Sequence, residues 1–259
     1  MPDFLEAIAK RVKETLESGY YNVDDSIEHE RISLKKAILS CNKNPVIAEF
    51  KPSSPSKGFL RRKEDAIQAS LSMERAGAIG ISVLTEPKHF QGSLSIFKEI
   101  RKAVNISLLM KDFIISSAQV EAASRIGADA VLLIQTLFDR GLSQIGLEEM
   151  IDLIHSRGME VLLEAHTEEE FLKAIRSEAD MVGINNRNLS TLDTDINTTI
   201  RILNKHSDCG KIIVSESGIE SPEHIKLLRK HGARAFLIGT SIMLSENIEE
   251  KVRSLVEAV

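Results

Sequence analysis

The sequence predicts a closed (β/α)8 barrel, and two observations support this fold class. Eight short apolar segments rich in β-branched residues recur between residues 46 and 238, and amphipathic helical segments separate them. Strands that alternate with helices form βαβ units and a parallel sheet whose strands are apolar on both faces. Eight units in about 215 residues fit a (β/α)8 TIM barrel. A doubly wound open sheet is the alternative, but no G-x-G-x-x-G motif follows the first strand.

The elements follow one another in a regular order. Apolar residues at helical spacing predict helix from about Phe4 to Ser40, with a second helix over Arg31–Leu39, so residues 1–45 form an N-terminal helical extension. This extension precedes the barrel and could close its bottom or cover its mouth. The predicted strands are Val46–Phe50, Gly80–Leu84, Ser107–Met110, Ala130–Ile134, Glu160–Leu163, Met181–Ile184, Lys211–Ser215 and Ala235–Ile238. The predicted helices between them include Glu64–Ala76, Ser117–Ile126, Leu147–Arg157, Glu168–Ser177, Ile196–His206 and Pro222–His231. No Gly-, Ser- or Pro-rich linker divides the chain, so residues 1–259 are expected to form one domain.

The first strand ends in charge. Glu49 and Lys51 are two residues apart, so their side chains share one face of the strand. The segment 52–58 has two prolines and three serines and cannot continue a central strand, so it forms a polar loop. A barrel enzyme presents its chemistry at this position. The alternative interpretation of Glu49 and Lys51 is a solvated ion pair at an exposed strand end.

Other strands also end in residues that can do chemistry. Lys111, Glu164, Asn185 and Glu216 each stand at the end of a predicted strand, whereas the strand starts are mostly Gly and Ala. Alone, each has an ordinary explanation, such as a surface lysine or a turn-forming asparagine. Gathered at one rim, charged groups are costly unless they serve a ligand. The pattern therefore predicts a catalytic site at the carboxyl ends of the strands.

The last two strands indicate a phosphate site. Ser217 and Gly218 follow the seventh strand, and Gly239 and Thr240 follow the eighth, each with a short helix start expected behind it. Barrels bind phosphate at these two loops, through backbone N–H groups and the helix dipole. Ser54 in the first loop is a candidate for an additional hydroxyl donor.

Composition excludes several other classes of protein. The net charge of -5, the absence of Trp and an aromatic content of 4% argue against a nucleic-acid surface. No apolar run approaches the ~20 residues that span a bilayer, and the N-terminus lacks a secretory signal pattern. The two cysteines, Cys41 and Cys209, suit a reducing compartment, so we expect a cytoplasmic protein. The seven histidines show no metal-ligand spacing, so no metal site is expected.

The rim motifs together resemble those of indole-3-glycerol phosphate synthases. The matching stretches run from residue 47 to residue 241, in order: IAEFKPSSPSKG, LTEPKHFQGS, LLMKDFI, GADAVLLI, VLLEAH, GINNRNL, SESGI and FLIGTS. The resemblance implies conversion of 1-(2-carboxyphenylamino)-1-deoxyribulose 5-phosphate to indole-3-glycerol phosphate, a step of tryptophan biosynthesis. It implies no cofactor, because the nitrogen of the substrate itself acts as the electron sink for decarboxylation.

The resemblance also implies roles for the residues at the strand ends. Lys111 is similar to the general acid of ring closure and Glu164 to the general base. Lys51 is similar to the group that binds the substrate carboxylate and is a candidate second acid, and Glu49 to a carboxylate that aids dehydration. The resemblance further implies that Asn185 and Glu216 contact the sugar hydroxyls and the intermediate, and that Arg187 braces the site. The residues implied to bind the phosphate are Ser54, Ser217, Gly218, Gly239 and Thr240. Those implied to form an apolar wall for the aromatic ring are Phe113, Leu133 and Phe90. The only partner expected is the small sugar-phosphate substrate, and neither nucleic acid nor a membrane is expected to bind. The protein is expected to be a monomer or a weak homodimer.

Three other functions are compatible with parts of this pattern. A phosphoribosyl-amine isomerase barrel would share the phosphate loops but would more often carry a Cys/Asp or Asp/Asp pair than the Lys/Glu set found here. A Schiff-base aldolase would use Lys111 to form an imine. A ligand-binding barrel without catalysis would have little use for lysine, glutamate and asparagine at one rim.

Overall fold

Eight parallel strands close into a barrel in the computed structural model, which describes residues 4–54, 57–188, 191–206 and 209–258. Each strand pairs with its neighbours in sequence, and the last pairs with the first in the register Ala48 to Ile238. The strands are β1 Val46–Phe50, β2 Gly80–Leu84, β3 Ser107–Lys111, β4 Ala130–Ile134, β5 Glu160–Ala165, β6 Met181–Asn185, β7 Ile212–Glu216 and β8 Ala235–Ile238. The predicted (β/α)8 fold is confirmed, and every predicted strand is present within two residues of its expected bounds.

Helices surround the barrel and extend it at the N-terminus. They are α1 Phe4–Glu17, α2 Leu34–Ser40, α3 Ala66–Arg75, α4 Leu94–Ala103, α5 Ser117–Arg125, α6 Gln135–Asp139, α7 Leu147–Ser156, α8 Glu168–Ala174, α9 Asn197–Lys205, α10 Pro222–Lys230, α11 Thr240–Met243 and α12 Ile248–Val256, with a 3-10 turn at Lys63–Asp65. A small hairpin, Ser53–Ser54 with Gly58–Phe59, follows β1. Within the described ranges, no helix has the length and apolar content that a bilayer crossing requires.

The N-terminal extension is helical only at its two ends. The prediction of helix over the whole stretch to Ser40 is wrong between residues 22 and 33, which contain no helix. The backbone there bonds to the barrel instead: the Ile27 N–H donates to the Arg125 carbonyl at 2.8 Å, and the Ile32 N–H donates to Asp129 Oδ1 at 2.8 Å. Tertiary hydrogen bonds thus replace the local ones that a helix would make.

The two helices of the extension lie at opposite ends of the barrel. Leu34 of α2 approaches the start of β2 so closely that a Cβ on Gly80 would lie 2.8 Å from it, so α2 closes the amino end. Leu5 of α1 lines a cavity together with His166 and Asn185, which lie at the carboxyl ends of β5 and β6. Helix α1 therefore covers part of the carboxyl end, and both positions that the sequence left open are occupied.

Candidate active site

A cavity of about 460 Å³ opens at the carboxyl ends of the strands. It is lined by 14 of the 15 residues that the sequence marks for the site: Glu49, Lys51, Ser54, Phe90, Lys111, Phe113, Glu164, Asn185, Arg187, Glu216, Ser217, Gly218, Gly239 and Thr240. They come from β1, β2, β3, β5, β6, β7 and β8 and the segments after them, because parallel strands present all their carboxyl ends at one rim. Two residues of the first polar loop, Pro55 and Ser56, lie outside the described residues.

Lys111 is the centre of the site. Its Nζ atom lies 3.0 Å from Glu164 Oε2 and 2.9 Å from Glu216 Oε2, so it donates to both carboxylates. Burial alone would lower the pKa of this lysine, but Glu164, Glu216 and Glu49 outweigh burial and raise the pKa above its ordinary value. Lys111 is therefore an ammonium group with protons to give, held between two acids.

The two carboxylates beside Lys111 differ in their proton affinity. Burial favours the neutral form of Glu164, but Lys111 and His166 outweigh burial and hold the pKa of Glu164 well below its ordinary value. Burial raises the pKa of Glu216 to about 8; the nearby Glu164 adds to this rise and Lys111 opposes it. At neutral pH the site therefore combines an ionised base, Glu164, with a protonated acid, Glu216.

Glu49 and Lys51 form the second charged pair of the cavity. Lys51 Nζ lies 2.9 Å from Glu49 Oε1, as the shared strand face predicts, while Glu49 Oε2 is buried without a hydrogen-bond partner. Glu216 Oε1 is buried without a partner as well. Both residues line the cavity, and these two oxygens have hydrogen-bonding capacity that the described protein groups leave unused.

Two glycines make room for these carboxylates. A Cβ on Gly239 would lie 2.3 Å from Glu49 Oε1, and a Cβ on Gly183 would lie 2.1 Å from Glu216 Oε1. Both approaches are far below van der Waals contact, so a Cβ at either position would displace the neighbouring carboxylate. Sequence reasoning assigned Gly239 to phosphate alone and passed over Gly183, whose neighbour becomes visible only when β6 and β7 pair.

The segment after β7 has an unusual backbone. Ser217 and Gly218 are consecutive residues with positive φ, 66° and 77°. The left-handed conformation is rare for serine, and it is stabilised here because Asn186 Nδ2 donates to the Ser217 carbonyl at 3.0 Å. Opposite it, α11 begins at Thr240, where the first N–H groups of a helix have no intrahelical acceptor. We call Ser217, Gly218, Gly239 and Thr240, the residues that the sequence predicts to bind phosphate, the phosphate cradle.

The assignment of Leu133 to the apolar wall is wrong. Leu133 packs in the outer core between β4 and the helices, whereas Leu132 and Ile134 line the cavity. Side chains alternate along a strand, so a slip of one residue moves a side chain to the other face. Phe90 and Phe113 also line the cavity, with their ring centroids 6.0 Å apart.

Arg187 is half buried at the rim, where it orders the segment after β6. Its Nη1 donates to the Leu192 carbonyl at 2.9 Å, and its backbone N–H donates to Asn185 Oδ1 at 3.0 Å. Burial lowers the pKa of Arg187, an effect that Glu49 opposes. These contacts hold the backbone of Arg187 at Asn185 and its guanidinium group at the Leu192 carbonyl, within the field of Glu49.

The described part of the chain contains no group of three or more His, Cys, Asp or Glu side chains that could hold a metal ion. The cavity lining includes three ammonium groups, those of Lys51, Lys57 and Lys111, together with carboxylate and amide acceptors and the phosphate cradle. Such a set can protonate an oxygen, accept a proton from carbon and hold an anionic tail without further groups.

Comparison with known proteins gives one consistent result. The family model described as indole-3-glycerol phosphate synthase matches residues 3–255. An indole-3-glycerol phosphate synthase of Methanopyrus kandleri is 41% identical over 100% of this chain and 98% of its own length. One of Endomicrobium trichonymphae is 42% identical over 86% of this chain and 84% of its own.

Solved structures agree at the level of the fold. An N-acetylmannosamine-6-phosphate 2-epimerase from Clostridium perfringens aligns with a TM-score of 0.61 over 83% of this chain and 93% of its own, at 14% identity. At that identity the likeness concerns the barrel only. The family model and the two relatives carry the assignment: this chain belongs to the indole-3-glycerol phosphate synthase family.

Proposed function

We propose that this protein converts 1-(2-carboxyphenylamino)-1-deoxyribulose 5-phosphate to indole-3-glycerol phosphate, carbon dioxide and water, the reaction that its family name denotes. The observation that carries the proposal is the position of the Lys111 ammonium between Glu164 and Glu216, 3.0 and 2.9 Å away. The reaction needs a proton donor and a proton acceptor on one substrate, and this cluster supplies both.

The first step forms the new ring. The aromatic carbon that bears the carboxylate attacks the ketone carbon, and the carbonyl π electrons move to oxygen. Lys111 protonates that oxygen, so no free alkoxide accumulates. Lys51 binds the substrate carboxylate, which leaves as carbon dioxide. The electrons of the broken carbon–carboxylate bond restore the aromatic ring.

The second step removes water. Glu164 takes the proton from the methylene carbon beside nitrogen, and the hydroxyl formed in the first step leaves as water with a second proton. Lys51, paired with Glu49 at 2.9 Å, is the proposed source of that proton. The oxygen receives two protons and carbon returns one, so each turnover takes up one proton from solvent.

The rest of the cavity holds the substrate in place. The phosphate lies in the cradle of Ser217, Gly218, Gly239 and Thr240, with the Ser54 hydroxyl beside it. Neutral Glu216, with its pKa raised to about 8 by burial, donates to a hydroxyl of the sugar chain, and Asn185 contacts another. The aromatic ring packs against Phe113, Leu132 and Ile134, and Arg187 braces the site.

The charge of Lys111 argues against the aldolase alternative. A lysine that forms an imine must first lose its proton, whereas three carboxylates raise the pKa of Lys111. Borohydride treatment with a carbonyl substrate therefore leaves Lys111 unmodified under this proposal, and covalent capture there would favour an aldolase.

The direct test is turnover of the carboxyphenylamino sugar phosphate. The proposal predicts that purified protein produces indole fluorescence from this compound without added metal or cofactor. A protein that leaves the compound unchanged, under conditions where a relative from Methanopyrus kandleri turns it over, would contradict the proposal.

We also propose that residues 1–259 form one domain, that the chain is a monomer or weak homodimer in the cytoplasm, and that it binds no nucleic acid. The net charge of -5 and the cysteine content support these proposals. Light scattering after size exclusion tests the oligomeric state, and a stable tetramer would contradict the proposal. Thermal unfolding tests the single domain, and two independent unfolding transitions would contradict it.

A further inference from the structure

His166 lies behind the base of the reaction. It follows β5, two residues after Glu164, so both side chains share one face. Its side chain is 7% exposed, and its Nε2 lies 3.1 Å from Glu164 Oε1. Its other nitrogen, Nδ1, lies 3.5 Å from Glu170 Oε2. Neither ring nitrogen makes an aligned hydrogen bond, so the ring is held between two carboxylates by proximity and charge.

Glu170 is fixed independently of the His166 ring. Its Oε2 accepts from the His166 backbone N–H at 2.7 Å, and its Oε1 accepts from Thr136 Oγ1 at 2.8 Å. Burial alone would lower the pKa of His166, but Glu164 and Glu170 outweigh burial and raise it to about 9. The sequence of charges from helix α8 inward is thus carboxylate, imidazolium, carboxylate and the Lys111 ammonium.

His166 is reached from a different side than the substrate. A second cavity of about 490 Å³ is lined by His166, Glu170, Thr136 and Arg140, among others. His166 is absent from the lining of the cavity that holds Lys111. Asn185 and Arg187 border both cavities, so the two lie back to back.

We infer that His166 is a positioning residue for Glu164: as an imidazolium it holds Oε1 and keeps the base ionised, and it exchanges its proton through the second cavity while substrate fills the first. Glu164 Oε2 is then left to Lys111 and the substrate. The inference rests on the proposed function, because Glu164 is the base only if that reaction occurs.

The other charges around Glu164 define what the loss of His166 would do. Lys111 on β3 attracts the ionised form, while Glu216 on β7 and Glu49 on β1 compete for the same ammonium. Lys51 and Arg187 stand at the rim beside Glu49, and Glu170 on α8 faces His166 and accepts from Thr136. Without the imidazolium, Glu164 keeps the ammonium of Lys111, which Glu49 also attracts, so the pKa of Glu164 rises.

The test is the pH dependence of kcat/KM for His166→Gln, with His155→Gln as the matched control. His155 contacts Asp180 before β6, at the amino end of the barrel. An opposite charge at this distance lowers a carboxyl pKa by about 1–3 pH units, so the acidic limb of the variant moves up by that amount. At a pH below the acidic limb of both enzymes, the loss is then at least about tenfold larger than the loss at pH 7.5. An equal loss at both pH values would mean a merely structural role and would overturn the inference, as would an unchanged profile.

A second variant keeps the test informative if His166→Gln folds poorly. Glu170→Gln removes the outer carboxylate, so His166 loses its proton at a lower pH than about 9, and the rate falls earlier as pH rises. In His166→Ala, imidazole should restore turnover at saturating substrate, because it enters by the second cavity; no restoration contradicts that route. Failure of the wild-type protein to form indole-3-glycerol phosphate would instead refute the proposed function.

Discussion

Replacing Lys111 by methionine is the perturbation that the site geometry defines best. Methionine keeps the length and apolar stem of the side chain and removes the ammonium group that donates to Glu164 and Glu216 at 3.0 and 2.9 Å. The acid of the ring-closing step is lost, while the phosphate cradle and the apolar wall remain.

The size of the effect follows from the role of the group. General acids contribute about 10²–10⁴-fold, so we expect kcat to fall at least about 100-fold, or about 2.7 kcal/mol of transition-state stabilisation. KM should change much less, because Lys111 contacts the oxygen that gains charge only in the transition state. The fold should persist, because Glu216, with its pKa near 8, stays protonated beside Glu164 at neutral pH.

The assay is continuous indole fluorescence with the carboxyphenylamino sugar phosphate, beside thermal unfolding followed by circular dichroism. Lys43→Met is the matched control, because Lys43 forms an exposed ion pair with Glu257 at 2.8 Å away from the cavity. Turnover of Lys111→Met within threefold of wild type would refute the assignment of the acid. A large rise in KM with unchanged kcat would show that Lys111 binds substrate rather than transferring a proton.

Four further predictions concern the other parts of the site. Leu132→Ala and Leu133→Ala should each lower the free energy of unfolding by about 2–5 kcal/mol, but only Leu132→Ala should raise KM, since it alone lines the cavity. Ser217→Asp should raise KM at least about tenfold through repulsion of the phosphate, and an unchanged KM would count against the cradle. Activity that needs protonated Glu216 should fall above about pH 8, and Glu216→Gln should lack this basic limb; a limb that persists would belong to another group. Gly183→Ala should give a kcat defect, because its Cβ would lie 2.1 Å from Glu216 Oε1, and normal kinetics would show that the carboxylate can move freely.

The fold was predictable because buried parallel strands are marked by local composition. Each β-branched run lies within two residues of an observed strand, and the charged residues at the strand ends meet at one rim. The helix α4 was not singled out, and the stretch 22–33 was taken as helical. In that stretch the outcome depends on Asp129, about 100 residues away, which accepts the Ile32 N–H.

The errors within the site share one physical cause. Which of Leu132 and Leu133 faces the cavity depends on the pleat of β4, a choice that an all-apolar strand leaves open. The need for glycine at position 183 depends on the Glu216 side chain across the β6–β7 pair. His166 directly follows the fifth strand, but its place between Glu164 and Glu170 is set by the packing of α8 against β5. Sequence therefore identifies which residues do chemistry better than it identifies which residues support them.

The most direct test is a crystal structure of Lys111→Met with the carboxyphenylamino sugar phosphate bound. We predict that the phosphate lies in the cradle formed after β7 and β8, with the keto oxygen facing position 111 and the aromatic ring against Phe113. A phosphate bound at the amino end of the barrel, or a keto oxygen turned away from position 111, would contradict the proposed chemistry.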